Sequence, residues 1–169
     1  MKADSAGLGG LDELAGAERP LLVVLHGVNL NLLGERDPSH YGNLTLAALE
    51  LHVREAASGA GFRCLCHQTN HEGEFVELIH RYRKQADALL VNPGAWTHYS
   101  WAIHDALEAV RGPIAEVHLS EVGKREEWRQ TSVVADVAQV RISGKGPAGY
   151  DEAVRELARL VESRRRSGE

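Results

Sequence analysis

Glu116-Val-His118 sets a carboxylate and an imidazole two residues apart in a run that reads as a strand. Residues i and i+2 of a strand share a face, so the carboxylate can orient or charge the ring, and histidine donates a proton near neutral pH. That is acid/base chemistry. Nine histidines stand against two cysteines and one methionine, which raises a metal as a rival use. The spacings argue against a catalytic metal. His67 and His71 are four apart but flank a strand end rather than a helix face, and no H-E-x-x-H pattern occurs. Gly144-Lys-Gly-Pro-Ala-Gly149 has the G-x-G-x-x-G spacing, yet it opens the last βα unit rather than the first, so its glycines read as a tight turn. No G-x-x-x-x-G-K-[ST] phosphate loop is present. A second polar cluster follows the first apolar run: Asn29, Asn31, Arg36 and Tyr41 lie within a turn-rich stretch from Gly27 to Asn43 that reads as a lid over a pocket.

The elements that must position these groups alternate along the chain. Leu21 to Leu25 is a continuous apolar run, the signature of a buried parallel strand. Thr45 is placed to cap a helix with the stripe Leu46, Leu49, Val53 and Ala57, supported by Glu50 and Arg54 four apart and stopped by Gly59 and Gly61. Phe62 to Gln68 reads as a second strand, and Phe75, Leu78, Ile79 and Tyr82 as the stripe of a second helix. Ala88 to Val91 reads as a third strand, with Thr97 expected to cap a third helix carrying Ala102, Ile103, Ala106, Leu107 and Val110. Ile114 to Leu119 is a fourth strand, Val133 to Ile142 contains a fifth, and Tyr150 to Val161 is a final helix.

Such alternation implies an α/β three-layer fold with a doubly wound parallel sheet, and five strands suit the flavodoxin-like order 2-1-3-4-5. Ligands then bind beyond the carboxyl ends of the strands, where the strand order reverses. That rule selects Asn29, Arg36 and Tyr41 after strand one, Asn92 and His98 after strand three, and His118 to Ser120 after strand four.

Composition narrows the class. The 169 residues suit one domain, 43% hydrophobic and 25% charged, and the net charge is −5. A nucleic-acid binder would carry a basic excess, so no nucleic-acid partner is expected. No 18-residue apolar stretch predicts a membrane span. Residues 1–20 read as a disordered leader without a signal-peptide core, 21–162 as the single catalytic domain, and 163–169 as a frayed tail. Cys64 and Cys66 are taken to point to opposite faces of a strand, reduced and not bridged, which suits a cytoplasmic protein.

Four blocks together resemble the type II 3-dehydroquinate dehydratase family: Asn29-Leu-Asn-Leu-Leu-Gly-Glu-Arg-Asp-Pro-Ser-His-Tyr-Gly42, Gln68-Thr-Asn-His-Glu-Gly73, Asn92-Pro-Gly-Ala-Trp-Thr-His98 with Ser100 and Asp105, and Glu116-Val-His-Leu-Ser120 with Arg125 and Arg129. The closing Ile142-Ser-Gly-Lys-Gly146 with Gly149-Tyr150 also fits, so the resemblance spans about residues 21 to 162 in order. It implies a hydro-lyase that dehydrates 3-dehydroquinate to 3-dehydroshikimate by anti elimination through an enolate, with no cofactor, no metal and no Schiff base. The four lysines, Lys2, Lys84, Lys124 and Lys145, agree with the last point, since none occupies the buried end of a core strand.

By the resemblance, Tyr41 is the base that removes the proton α to the ketone. A free tyrosine has a pKa near 10, and bringing it to about 8 takes roughly 2.7 kcal/mol of preferential stabilisation of the phenolate. A guanidinium a few ångströms away supplies interaction of that order, and Arg36 on the same loop is the candidate. The resemblance makes His118 the proton donor to the leaving hydroxyl, with Glu116 behind it. It makes Asn29 the enolate stabiliser, directly or through a held water. Asn92, His98 and Arg129 become contacts to the hydroxyl and carboxylate groups, joined by N–H groups at Leu119 and Ser120, which precede a helix-like segment. Asp105, seven residues past His98 and so two turns along one helix, is implied to reach a neighbouring subunit's site in a trimer-based homo-oligomer, commonly a dodecamer.

The chain departs from the pattern at His26 (Asn in the family), Val28 (Pro), Tyr99 (Thr), His104 (Arg), Glu121 (Asn) and Gly123 (His). These bear on fine specificity and on the subunit contact. Two rival readings remain at this stage. One is a non-catalytic flavodoxin-like ligand-binding or interaction protein that retained the pocket; the other is a metal-dependent hydrolase built on the histidines. The reaction serves aromatic biosynthesis and quinate breakdown alike, so sequence does not separate those roles.

Overall fold

The computed structural model describes residues 19–35, 44–121, 123 and 126–168. Residues 1–18 of the expected leader (1–20) and the segment 36–43, which carries Arg36 and Tyr41, lie outside the described residues. Five strands form one parallel sheet: β1 (Leu21–His26), β2 (Arg63–Gln68), β3 (Ala88–Asn92), β4 (Ile114–His118) and β5 (Val140–Ser143). Their order is β2-β1-β3-β4-β5, the doubly wound arrangement anticipated from the strand–helix alternation. Four α-helices cover the sheet: α1 (Leu46–Gly59), α2 (Glu72–Tyr82), α3 (Trp101–Glu108) and α4 (Pro147–Ser167).

Why β1, β3 and β4 are buried along their whole length follows from this layering. Alternate residues of β1 face opposite layers, and both layers are helix-covered. Leu22 and Val24 pack with Leu90 and Val117 against Leu49, Val53, Leu157 and Tyr150 of α1 and α4. Val23 and Leu25 pack with Leu89 and Val91 against Phe75, Ile79, Ile103 and Leu107 of α2 and α3. The stripes on α1 and α2 are buried as their spacing predicts. Thr45 caps α1, its hydroxyl accepting from the Ala48 N–H at 3.2 Å.

The switch point between β1 and β3 is built by glycine. Gly27 donates its N–H to the Asn92 carbonyl at 2.8 Å, and a Cβ there would fall on the Pro93 carbonyl. Gly94 has φ +66°, and a Cβ on it would stand 2.8 Å from the Val28 carbonyl. The two strand ends therefore meet backbone to backbone, which side chains would prevent. Gly27→Ala is expected to cost about 1–3 kcal/mol through forced backbone displacement. A urea midpoint matching wild type would show that the strand ends can part freely.

Three expectations are corrected. Thr97 does not cap the third helix. It belongs to a 3-10 turn (Gly94–His98), and α3 is capped by Ser100, whose hydroxyl accepts from the Ile103 N–H at 3.1 Å. The chain needs that extra turn to carry Trp96 into the core before the helix begins. Cys64 and Cys66 do not point to opposite faces. The two-residue spacing that unites Glu116 and His118 unites them too, with sulfurs 3.9 Å apart. The last helix does not end at Val161: α4 continues to Ser167 and ends on Gly168 at φ 77°. Arg164 donates to the Arg111 carbonyl, Arg165 pairs with Asp87 at 3.3 Å and Arg166 with Glu162 at 2.7 Å. These cations also complement the negative end of the helix dipole.

Candidate active site

Glu116 is the centre of the site. It lies on β4, 2% exposed, and such a charge is tolerable only when fully partnered. His118 Nε2 is 2.8 Å from Oε1, and the Thr97 hydroxyl donates to the same oxygen. The Ser132 hydroxyl lies 2.9 Å from Oε1 and 3.0 Å from Oε2, and Arg141 Nε of β5 donates to Oε2 at 3.3 Å. Burial alone would raise the Glu116 pKa. The hydrogen bond and charge of His118, with the Thr97 and Ser132 hydroxyls, outweigh it and hold the carboxyl at about 2. An ionised Glu116 accepts from His118 Nε2–H, which leaves Nδ1 as the nitrogen that can serve a ligand.

This arrangement has a consequence for acid stability. The folded pKa of about 2 lies below the ordinary carboxyl value of 4.5. Glu116 therefore contributes stability above pH 4.5 that disappears as the pH falls towards 2, about 3 kcal/mol in all. Urea unfolding at a series of pH values should show that loss in wild type and a flatter profile in Glu116→Gln. Equal profiles in the two proteins would contradict the partnering.

His118 ends β4 and faces a polar cavity of about 240 Å³ lined by Thr97, His98, Glu116, Arg129, Ser132 and Arg141, among others. The imidazoles of His98 and His118 lie nearly parallel, centroids 6.4 Å apart. His98 Nδ1–H donates to the Thr131 carbonyl at 2.6 Å, fixing the tautomer and leaving Nε2 as an acceptor. Burial, its largest cause, lowers the His98 pKa, with the charges of His118 and Arg129 adding to the effect. The ring is therefore neutral at pH 7 and suited to accept from a hydroxyl. The edge of Trp128 packs against it at 5.2 Å, and the Arg129 guanidinium lies over the Trp128 ring at 4.0 Å while bonding Glu126 at 2.9 Å. A cation, a neutral acceptor and an imidazole–carboxylate pair thus converge on one small cavity.

Asn29 stands after β1 with φ 65°, the one non-glycine residue with positive φ among the described residues. Asparagine tolerates that conformation better than most residues. The Asn70 side chain holds it there by accepting from the Asn29 N–H at 2.8 Å, and Asn70 is tied in turn to Asn31 and Gln68 at 3.0 Å each. Asn92 ends β3, 3% exposed, its amide donating to the Tyr150 hydroxyl at 2.9 Å and accepting from the Gly94 N–H at 3.2 Å. Leu119 is buried and Ser120 half-buried just past His118, and the helix-like segment expected after them lies partly outside the described residues. Asp105 is not two turns along one helix from His98, because Tyr99 and Ser100 break the chain between the 3-10 turn and α3. Its carboxylate is exposed and pairs with His104 at 3.4 Å.

Thr97, Ser132, Asn70, Trp128 and Arg141 support the site and were not named as site residues from sequence. They are ordinary polar or aromatic residues in turns and on an edge strand. Only the pairing of β4 with β5, Glu116 beside Arg141, brings the last of them in.

A family model described as Dehydroquinase class II matches residues 20–158. The 3-dehydroquinate dehydratase of Pelotomaculum thermopropionicum is 49% identical over 140 residues, covering 83% of this chain and 97% of that protein. The 3-dehydroquinate dehydratase 2 of Pseudomonas putida is 46% identical over 146 residues, covering 86% and 98%. The crystal structure of a type II dehydroquinase from Butyrivibrio crossotus superposes with a TM-score of 0.80 at 38% identity, covering 82% of this chain and 97% of that one.

Proposed function

The chain belongs to the class II dehydroquinase family, and on that premise we infer that it is a hydro-lyase converting 3-dehydroquinate to 3-dehydroshikimate by anti elimination through an enolate. The observation that carries this reading is the His118–Glu116 pair at 2.8 Å, facing a cavity that also presents His98 and Arg129. Simple carboxylate binding needs the cation but not an imidazole backed by a buried, ionised carboxylate. The reading as a non-catalytic binding protein is therefore not favoured.

In this proposal Tyr41, its phenolate stabilised by Arg36, removes the α proton. Asn29, held by Asn70, faces the developing enolate oxygen. His118 gives its proton to the departing hydroxyl while Glu116 holds the ring and balances its charge. His98 Nε2 accepts from a substrate hydroxyl, Asn92 supports that side of the pocket, and Arg129 with the N–H groups of Leu119 and Ser120 takes the carboxylate. No cofactor or metal enters the proposed steps. Asp105, exposed on α3, is assigned to a neighbouring subunit's site in a trimer-based assembly, commonly a dodecamer, and the cytoplasm is the proposed location.

Incubating the protein with 3-dehydroquinate and analysing the mixture by mass spectrometry and ultraviolet absorbance tests the reaction. The expected product has lost one water and absorbs as a conjugated enone; recovery of unchanged substrate would contradict the proposal. Glu116→Gln is expected to lower kcat by roughly 10- to 100-fold with KM little changed, because the carboxylate acts on His118 and not on substrate. A parallel rise in KM would place Glu116 in binding instead.

A further inference from the structure

Thr97, Ser132, His118 and Arg141 surround the Glu116 carboxylate, and apart from His118 only Arg141 brings a charge. Each hydroxyl has one proton to give. Thr97 gives its proton to Oε1, which also faces His118 Nε2 at 2.8 Å. Ser132 lies 2.9 Å from Oε1 and 3.0 Å from Oε2, and its single proton cannot serve both fully. Oε2 therefore depends on Arg141, whose Nε–H reaches it at 3.3 Å. The sheet builds this contact in. Glu116 and Arg141 are partners in the β4–β5 register, so their side chains leave on one face. Among the described residues Glu116 is the one acid that Arg141 pairs with. The carboxylate side chain is 2% exposed and the arginine side chain 53%, so a cation at the solvent edge reaches inward to a buried anion.

That cation matters when a proton leaves. On the reading proposed above, His118 starts as an imidazolium against Glu116 and is neutral once the hydroxyl has departed. Glu116 then stays buried without its nearest countercharge, a costly state for a carboxylate. Thr97 and Ser132 offer only dipoles. Arg141 keeps its charge at any working pH. The other groups that face His118 do not fill this place. Arg129, from the turn after β4, pairs with Glu126 at 2.9 Å and lies over Trp128. His98, from the 3-10 turn, is held neutral by burial and gives its Nδ1–H to the Thr131 carbonyl. Glu121, the next acid beyond β4, accepts from Ser143 at 3.1 Å.

Resting on that reading, we propose that Arg141 is a positioning residue for the proton donor: by sharing the Glu116 charge, it lets His118 release its proton more readily. It touches Glu116 and not the reacting atoms. A guanidinium this close to the carboxylate exerts a substantial field, and its half-exposed position screens part of it.

NMR of the ring nitrogens in histidine-labelled full-length protein, without substrate, reads the His118 titration directly, its signal assigned by loss in His118→Ala. Arg141→Gln should move the midpoint upward by about 0.5–1 pH unit, because the uncompensated carboxylate holds the proton more tightly. Arg141→Met, a second charge-free variant, should do the same if Arg141→Gln does not fold. Arg141→Lys keeps the charge and should return the midpoint most of the way to wild type. With 3-dehydroquinate, below both midpoints, Arg141→Gln should lower kcat by about 2- to 5-fold with KM unchanged, since a weaker acid donates more slowly. An unmoved or lowered midpoint in the charge-free variants, an Arg141→Lys titration matching theirs, or a raised KM with unchanged kcat would overturn the proposal. The titration uses no substrate. It therefore decides on Arg141 even if the wild type leaves 3-dehydroquinate unchanged, a result that would overturn the assigned reaction instead.

Discussion

His118→Ala is expected to lower kcat by roughly 10²- to 10⁴-fold, the usual worth of a positioned general acid. At 1.36 kcal/mol per tenfold, that is about 3–5 kcal/mol of the barrier. The expectation rests on what surrounds the ring. Glu116 is ionised and buried, accepts from Nε2, and is itself held by Thr97, Ser132 and Arg141. An imidazole so oriented cannot turn its second nitrogen away without breaking that contact. Removing it leaves hydroxide as the leaving group with no donor in place. The fold should survive, since Glu116 keeps the other three partners. Steady-state kinetics would show the fall in kcat, and circular dichroism the intact fold. An alanine variant with wild-type kcat would remove His118 from the chemistry.

The second large effect is expected from Tyr41→Phe, a loss of roughly 10³-fold or more in kcat with KM little changed. A ketone's α proton is weakly acidic, and phenylalanine offers no base. The phenol itself needs help at neutral pH, because its unperturbed pKa is near 10. Arg36→Ala should therefore shift the basic limb of activity to higher pH, as the phenolate becomes harder to form. A pH–rate profile unchanged by that substitution would separate Arg36 from the base. In the proposed mechanism Tyr41 and His118 divide the reaction: one takes a proton, the other gives one.

Much of this was legible in the chain itself, for identifiable reasons. The continuous apolar run Leu21–Leu25 announced a strand buried on both faces, and the alternation of strands with helical stripes led to the strand order. The switch-point rule then located Asn29, Asn92, His98 and His118 without any contact being known. Glu116 beside His118 followed from strand period alone. What escaped was whatever depends on tertiary partners. Thr97 looked like a helix cap because threonine is a good one, but Trp96 enters the core first and Ser100 takes that place. Arg141 reaches Glu116 only because β5 adds to the sheet next to β4. Ser132 and Asn70 sit in turns with no periodicity to mark them. The helical tail through Ser167 depends on Arg111 and Asp87, more than fifty residues away in sequence.

The acidic balance of the chain and its histidine excess acquire a local meaning from the structure. A net charge of −5 coexists with a cavity lined by Arg129 and Arg141. His98 and His118 face that cavity, His67 bonds the Tyr82 hydroxyl at 2.9 Å, and His104 lies between Asp105 and Asp136, whose hydrogen bonds raise its pKa against the opposing effect of burial. Histidine is therefore used here in several unrelated ways.

The most direct test of the central claim compares wild type, Tyr41→Phe and His118→Ala, each treated with chelator and given 3-dehydroquinate, by the rate at which enone absorbance appears. The account predicts a rapid rise in the chelator-treated wild type and a rate at least a hundredfold lower in each variant. No rise in the wild type, or a rise at full rate in either variant, would contradict it.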